Sequence, residues 1–301
     1  MNKKHHHHHH HHHRARKWFI FKIVLGVVAF LLITIAVIAY GIYRNVENSY
    51  QNSYVASTQG TPTVNISNLH AMSILILETG DASTNANCYA SVLAVMNKDT
   101  KQMALVSIPV DTQLSNQTTI NQSFVKNGEA GAQNLVQNLF GLQVTKYVQV
   151  DVTKIGNLVT AVGGITVENS AAFTSGTYQF AQGQVTLNSA AQTQAFLQAG
   201  QAETSERVMK VSLAVYQKIK ANTSVKSLAN LSYYQNIMNA FSSAIHTNIA
   251  FDEFQDIALN YNKALVNSKK LSLNTTTKNS VKTIVPTDLT TVKTSLAQML
   301  K

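Results

Sequence analysis

Apolar residues recur along this chain in three rhythms, and each predicts a different element. The first is unbroken: residues 23–43, IVLGVVAFLLITIAVIAYGIY, run for 21 positions without a charge. At about 1.5 Å per residue, a helix of that length crosses a bilayer core. Lys3, Lys4, Arg14, Arg16, Lys17 and Lys22 precede it, and only Arg44 and Glu47 follow closely. That asymmetry predicts a single-pass anchor with residues 1–22 in the cytoplasm and everything beyond residue 44 outside. Trp18, Tyr40 and Tyr43 fall where interfacial aromatic residues belong. A cleaved signal peptide is the rival reading, although the run exceeds the usual h-region of about 7–15 residues.

The second rhythm is the short apolar run bounded by turn residues. After a polar stretch at 44–69, read as a tether, comes SILIL at 73–77, ending in turn chemistry at 78–85. YASVLAVM at 89–96 and MALVSIP at 103–109 flank the polar turn NKDTK and predict a hairpin. KYVQVDV at 146–152 and ITV at 165–167 are further strands, the latter behind Gly163–Gly164. The third rhythm is helical. It covers 130–140, 152–161, 232–245, 251–267 and, most clearly, 205–221, where Val208, Val211, Val215 and Ile219 form one stripe that Thr204 or Ser205 can cap. The tail at 275–301 offers one strand-like piece, VKTIVP, and a closing helix. Short strands alternating with helices predict an α/β domain, and no linker divides 70–301.

Charge changes this picture little. The net charge is +10, but residues 1–44 hold seven of the 24 basic residues and no acid, which leaves +3 for the rest. The basic excess flanks the membrane, where it can attract anionic lipid, and gives no support for nucleic-acid binding. The single cysteine, Cys88, excludes an internal disulfide. His5–His13 is a metal-binding tract, a purification tag or a disordered tail. His70 and His246 read as structural or solvated, and no Walker loop or zinc spacing occurs.

The order of pieces resembles the LytR–CpsA–Psr family over about residues 70–265. SILILETGD resembles that family's opening strand and turn, and NKDTKQMALVSIPVDT resembles a hairpin that ordinarily ends in I-P-R-D-T. LVTAVGGITV, GQVTLN, TSERVMKVSLAVYQKI and TNIAFDEFQDIALNY follow in the family's order. The resemblance implies a three-layer α/β/α domain with a central mixed sheet. It also implies a membrane-anchored extracellular transferase of a Gram-positive-type cell envelope. Such a protein moves a polyprenyl-pyrophosphate-linked glycopolymer to peptidoglycan, with arginines on the pyrophosphate and aspartates on Mg²⁺. Guanidinium forks suit that leaving group because they bind its oxygens in pairs and never lose their charge.

Measured against that pattern, residues are missing. Val110 stands at the arginine of I-P-R-D-T, and Val cannot donate to a phosphate. Asn87 and Tyr89 stand where an R-x-D-like triplet opens the preceding strand, and Thr204 stands at the first arginine of R-x-x-R. Residues 189–206 contain no arginine or lysine, so no shift of register restores the family's R-x-R. Beyond Arg44, the only arginine is Arg207. If each lost charged contact is worth ~1.5–3 kcal/mol, three losses remove on the order of 5–9 kcal/mol. At about 1.36 kcal/mol per decade that slows a reaction roughly 10³-fold or more. Asp81, Asp111 and Arg207 remain as candidate phosphate or Mg²⁺ positions, with Asp81 and Asp111 as the metal pair. These departures favour a relative that binds an envelope lipid, a polyprenyl-linked glycan or a cell-wall partner protein with transfer reduced or lost. A divergent active transferase, drawing charge from lysines such as Lys126 or Lys210, and a structural envelope scaffold are the alternatives.

Overall fold

In chain order the strands are β1 (Ala71–Thr79), β2 (Cys88–Asn97), β3 (Gln102–Ile108), β4 (Lys146–Asp151), β5 (Ile165–Asn169) and β6 (Phe173–Ser175). They continue with β7 (Tyr178–Phe180), β8 (Gly183–Leu187), β9 (Ile245–Thr247), β10 (Ser268–Leu271), β11 (Thr275–Lys278) and β12 (Val281–Ile284). The helices are α1 (Ile120–Phe140), α2 (Ile155–Ala161), α3 (Ala190–Gln198) and α4 (Thr204–Asn222), then α5 (Leu231–Ala244), α6 (Phe251–Asn260), α7 (Asn262–Val266) and α8 (Pro286–Met299). This computed structural model describes residues 50–51, 53–55, 66–80, 87–114, 117–198, 204–222 and 231–301. The expected membrane helix at 23–43, the basic tail, much of the tether and Asp81 lie outside the described residues. Among the described residues, no helix is long and apolar enough to cross a membrane.

Six strands form one mixed sheet in the order β10-β3-β2-β1-β4-β9. β1 pairs antiparallel with β2 and parallel with β4, and β3 pairs antiparallel with β2 and parallel with β10. Alternation sets the two faces. Ile74 and Ile76 of β1 join Val92, Leu105, Val148 and Val150 in one core, covered by buried residues of α2 through α7. Leu75 and Leu77 point the other way, with Leu93, Val106 and Tyr147, against α1 and α8. The sheet therefore carries helices on both faces. That explains why β1 reads as a continuous apolar run and not as an alternating one.

Several boundaries differ from the sequence reading for local reasons. α1 starts ten residues before 130, at a capping box in which Gln122 N–H donates to Thr119 Oγ1 at 3.1 Å and Thr119 N–H donates to Gln122 Oε1 at 3.0 Å. Its helical conformation breaks at Asn127 and Gly128, where Gly128 has φ +61°, so the periodicity is legible only after the break. The helix expected at 251–267 is two, divided at Tyr261. Ile245, expected as the last residue of a helix, instead opens edge strand β9. The tether is also partly committed to the domain: Tyr50, Ser53 and Ile66 are buried.

Candidate functional site

VSIPVDT leaves β3 at Ile108 and turns. Pro109 accepts a hydrogen bond from Thr112 N–H at 3.4 Å, and Val110 C=O accepts one from Asn121 N–H at 3.1 Å. The Val110 side chain is half-buried and packs on the α1/α8 side of the sheet. An apolar residue here extends a core, which is a different task from facing an anion. Asp111 is exposed, and Lys282 of β12 donates to both of its oxygens, at 3.0 and 2.8 Å. Gln113 N–H donates to Lys282 C=O, which fixes the hairpin β11–β12 against this corner. The sequence reading missed Lys282, which lies 171 residues away in the chain.

At the start of β2, Asn87 C=O accepts from Gly80 N–H at 2.9 Å. Asn121 bridges the strand start, accepting from Cys88 N–H at 2.9 Å and donating to Asn87 Oδ1 at 3.3 Å. Cys88 is buried. Burial, with Glu78 adding, pushes its thiol up to about 12, so it stays protonated and is no nucleophile at neutral pH. Tyr89 is exposed at a bulge, where the β1 register shifts between Glu78 and Thr79. Partial desolvation, then the charges of Glu78 and Asp151, raises its pKa. Asp151 ends β4 beside Thr79 and accepts from Thr153 N–H and Oγ1–H and from Lys154 Nζ at 3.1 Å.

Arg207 is held differently from the expectation of a phosphate fork at a helix mouth. It lies four residues before Val211 on the row that continues through Val215 and Ile219, all buried, and is itself only 6% exposed. Its guanidinium carbon sits 4.0 Å from the ring centre of Phe173 and 5.6 Å from that of Phe196. The cation therefore serves packing between α4, α3 and the β6–β7 hairpin. Arg207 and Val110 thus belong to opposite faces of the sheet. Thr204 begins α4. Lys210 donates to Ser170 Oγ at 2.8 Å. Asp81, the other expected metal position, lies outside the described residues.

The expected Mg²⁺ fits Asp111 poorly, because a lysine already occupies both oxygens. Among the described residues no group of three His, Cys, Asp or Glu side chains could hold a metal ion. The residue that the sequence reading assigned to a turn is more informative. Glu78 is in β1 and 3% exposed, and neither of its carboxylate oxygens has a hydrogen-bond partner. Desolvation pushes its carboxyl up to about 8. The available signal was an acid directly behind four apolar strand residues, Ile74 to Leu77.

Fold and strand ends together define a mixed α/β domain with its polar cluster at the carboxyl end of a parallel strand pair. The chain belongs to the LytR_cpsA_psr family, whose sequence model matches residues 38–299. It is similar to the polyisoprenyl-teichoic acid–peptidoglycan teichoic acid transferase TagU of Enterococcus faecalis, with 28% identity over 261 residues covering 81% of this chain and 84% of that protein. Among solved structures, protein gbs0355 from Streptococcus agalactiae matches with TM-score 0.56 and 23% identity, covering 76% of this chain and 88% of the other. TagT bound to LIIa-WTA matches with TM-score 0.52 and 16% identity, covering 81% and 94%. At these identities the structural matches establish a shared fold.

Proposed function

We propose that this protein is a membrane-anchored, extracellular member of its family that binds a polyprenyl-linked glycan during cell-wall assembly and transfers it slowly or not at all. Residues 23–43 supply the anchor, residues 44–69 the connection to it, and residues 70–301 the ligand-binding domain. The name of the relative, a polyisoprenyl-teichoic acid–peptidoglycan teichoic acid transferase, supports this choice of substrate class. The observation that carries the reduced-transfer reading is the fate of the cations. Val110 replaces an arginine with core packing, and Arg207 stacks on two rings in the interior. A diphosphate leaving group requires several fixed positive charges where its own charge develops. Lysines can bind phosphate, but as hydrated point charges without the planar fork.

The test uses the full chain in detergent. Native mass spectrometry is expected to find co-purified polyprenyl phosphate or its glycan conjugate. Release of phosphate or pyrophosphate from a prenyl-pyrophosphate substrate is expected to stay at background with and without Mg²⁺. Mg²⁺-dependent turnover that Arg207→Lys abolishes would refute the reduced-transfer reading. One observation favours an active, divergent transferase instead: Lys282 brings a cation to the corner where the family arginine is lost. On that reading turnover is measurable and Lys282→Ala removes it.

A further inference from the structure

We infer that Glu78 is a ligand-binding group of this site, a neutral carboxylic acid that donates its proton in a hydrogen bond to a phosphate oxygen of the bound lipid. The inference rests on the proposed function and names how the head group is held with so few guanidinium groups.

Three independent features of Glu78 support it. First, its position: β1 and β4 are parallel, and Glu78 is the last residue but one of β1, opposite Val150 of β4. In open α/β sheets ligands bind outside the carboxyl ends of the strands. Second, the backbone there is irregular: the pairing with β2 shifts between Glu78 and Thr79 and leaves Tyr89 exposed at the bulge. Bulges gather beside functional sites because they re-aim side chains. Third, the carboxyl is buried with both oxygens unpartnered, on the face it shares with Ile74, Ile76, Ala90 and Val150. A polar group left unsatisfied in such surroundings costs stability unless something supplies its bond.

The local charges select the ligand's chemistry. The titratable groups near Glu78 are Cys88 and Tyr89 of β2, with Asp151 at the end of β4 already paired with Lys154. Among the described residues, the buried charged side chains in the helical layer on this face are Arg207, stacked on Phe173 and Phe196, and Glu253, already paired with Lys146 of β4. Desolvation keeps the carboxyl protonated at neutral pH. A protonated carboxyl is a donor, and it approaches an anion without charge repulsion. A carboxylate in the same place would repel a phosphate and select a cation.

The experiment measures binding of farnesyl phosphate, and separately of inorganic phosphate, to the full-length protein in detergent by calorimetry at several pH values. The proteins are wild type, Glu78→Gln and Glu78→Leu. Wild-type affinity for farnesyl phosphate should fall roughly tenfold or more as pH rises through about 8, the size of one hydrogen bond to a charged group. Glu78→Gln keeps a donor that does not titrate, so its affinity should hold over that range. Glu78→Leu should bind roughly tenfold more weakly than wild type at pH 7. Inorganic phosphate with the same dependence on residue 78 would keep the phosphate contact and sink the lipid reading. Undiminished binding by Glu78→Leu would overturn the inference and leave the proposed function standing. Wild-type binding that strengthens with pH and requires Mg²⁺ would also overturn it, by making Glu78 a metal ligand. Absence of binding by all three proteins overturns both.

Discussion

Glu78 shows how one side chain can set a stability profile. Its folded pKa of about 8 stands above the ordinary 4.5 because desolvation disfavours the charged form. Between those two values the unfolded chain has released the proton and the folded chain still holds it. Folding therefore takes up a proton, and stability declines as pH rises across that window. The contribution is complete below about 4.5, falls by at most roughly 1.4 kcal/mol per pH unit, and levels off above about 8. Glu78→Leu should remove this slope. Chemical denaturation should then find the variant more stable than wild type at pH 8, with the gap closing toward pH 4.5. A wild type without the alkaline decline would mean that water or the lipid already satisfies the carboxyl.

At the scale of elements, the same principle operates through a pair of residues. β4 begins with Lys146, whose ammonium donates to Glu253 Oε2 and to Asn248 C=O, and both charged side chains are buried. Glu253 Oε2 also accepts from Ala250 N–H at 2.8 Å at the start of α6, so one carboxylate caps a helix and ties it to the sheet. Removing either partner strands the other charge in the interior. Lys146→Met or Glu253→Leu alone should cost ~3–5 kcal/mol, while the double variant should recover much of that. A double-mutant cycle by urea denaturation measures the coupling, and additive losses would contradict the pairing. Little of this was legible in the sequence, since Lys146 and Glu253 are 107 residues apart. Legible elements were those with a local period: β1 to β4, α4 and the Gly163–Gly164 break, where both glycines have positive φ. Some of the missed pieces are specified at a distance. β9 and β10 are three- and four-residue edge strands whose partners lie far away in the chain. The site divides in the same way. The loss of arginine at Val110 is visible in one motif, but the ring stack on Arg207 and the arrival of Lys282 at Asp111 need the folded chain.

For the whole molecule, the question is how freely the domain stands off its proposed anchor. A 26-residue tether from 44 to 69 would allow a wide excursion, but the structure commits its early part. Tyr50 is 2% exposed, with ring centres 5.4 and 5.2 Å from Phe251 and Phe254, and its hydroxyl donates to Ile249 C=O. Val55 N–H donates to Thr247 C=O, and Thr247 N–H donates to Ser53 C=O, so this segment extends the sheet at its β9 edge. Seven residue steps separate Tyr50 from Tyr43, the end of the expected membrane helix. Fully extended, they span at most about 25 Å. On the proposed anchor, the β9 edge would lie close to the bilayer, which would suit a domain proposed to take a lipid-borne ligand. Tyr50→Ala should cost ~3–5 kcal/mol as a buried aromatic truncation. It should also release the segment, so hydrogen exchange at Val55 accelerates while β1 and β2 amides keep their protection. Energy transfer from a dye at Asp252→Cys to acceptors in the bilayer should weaken in the same variant, because the longer tether lets the domain drift outward. Unchanged exchange and unchanged transfer would show that contacts other than Tyr50 fix the domain's height.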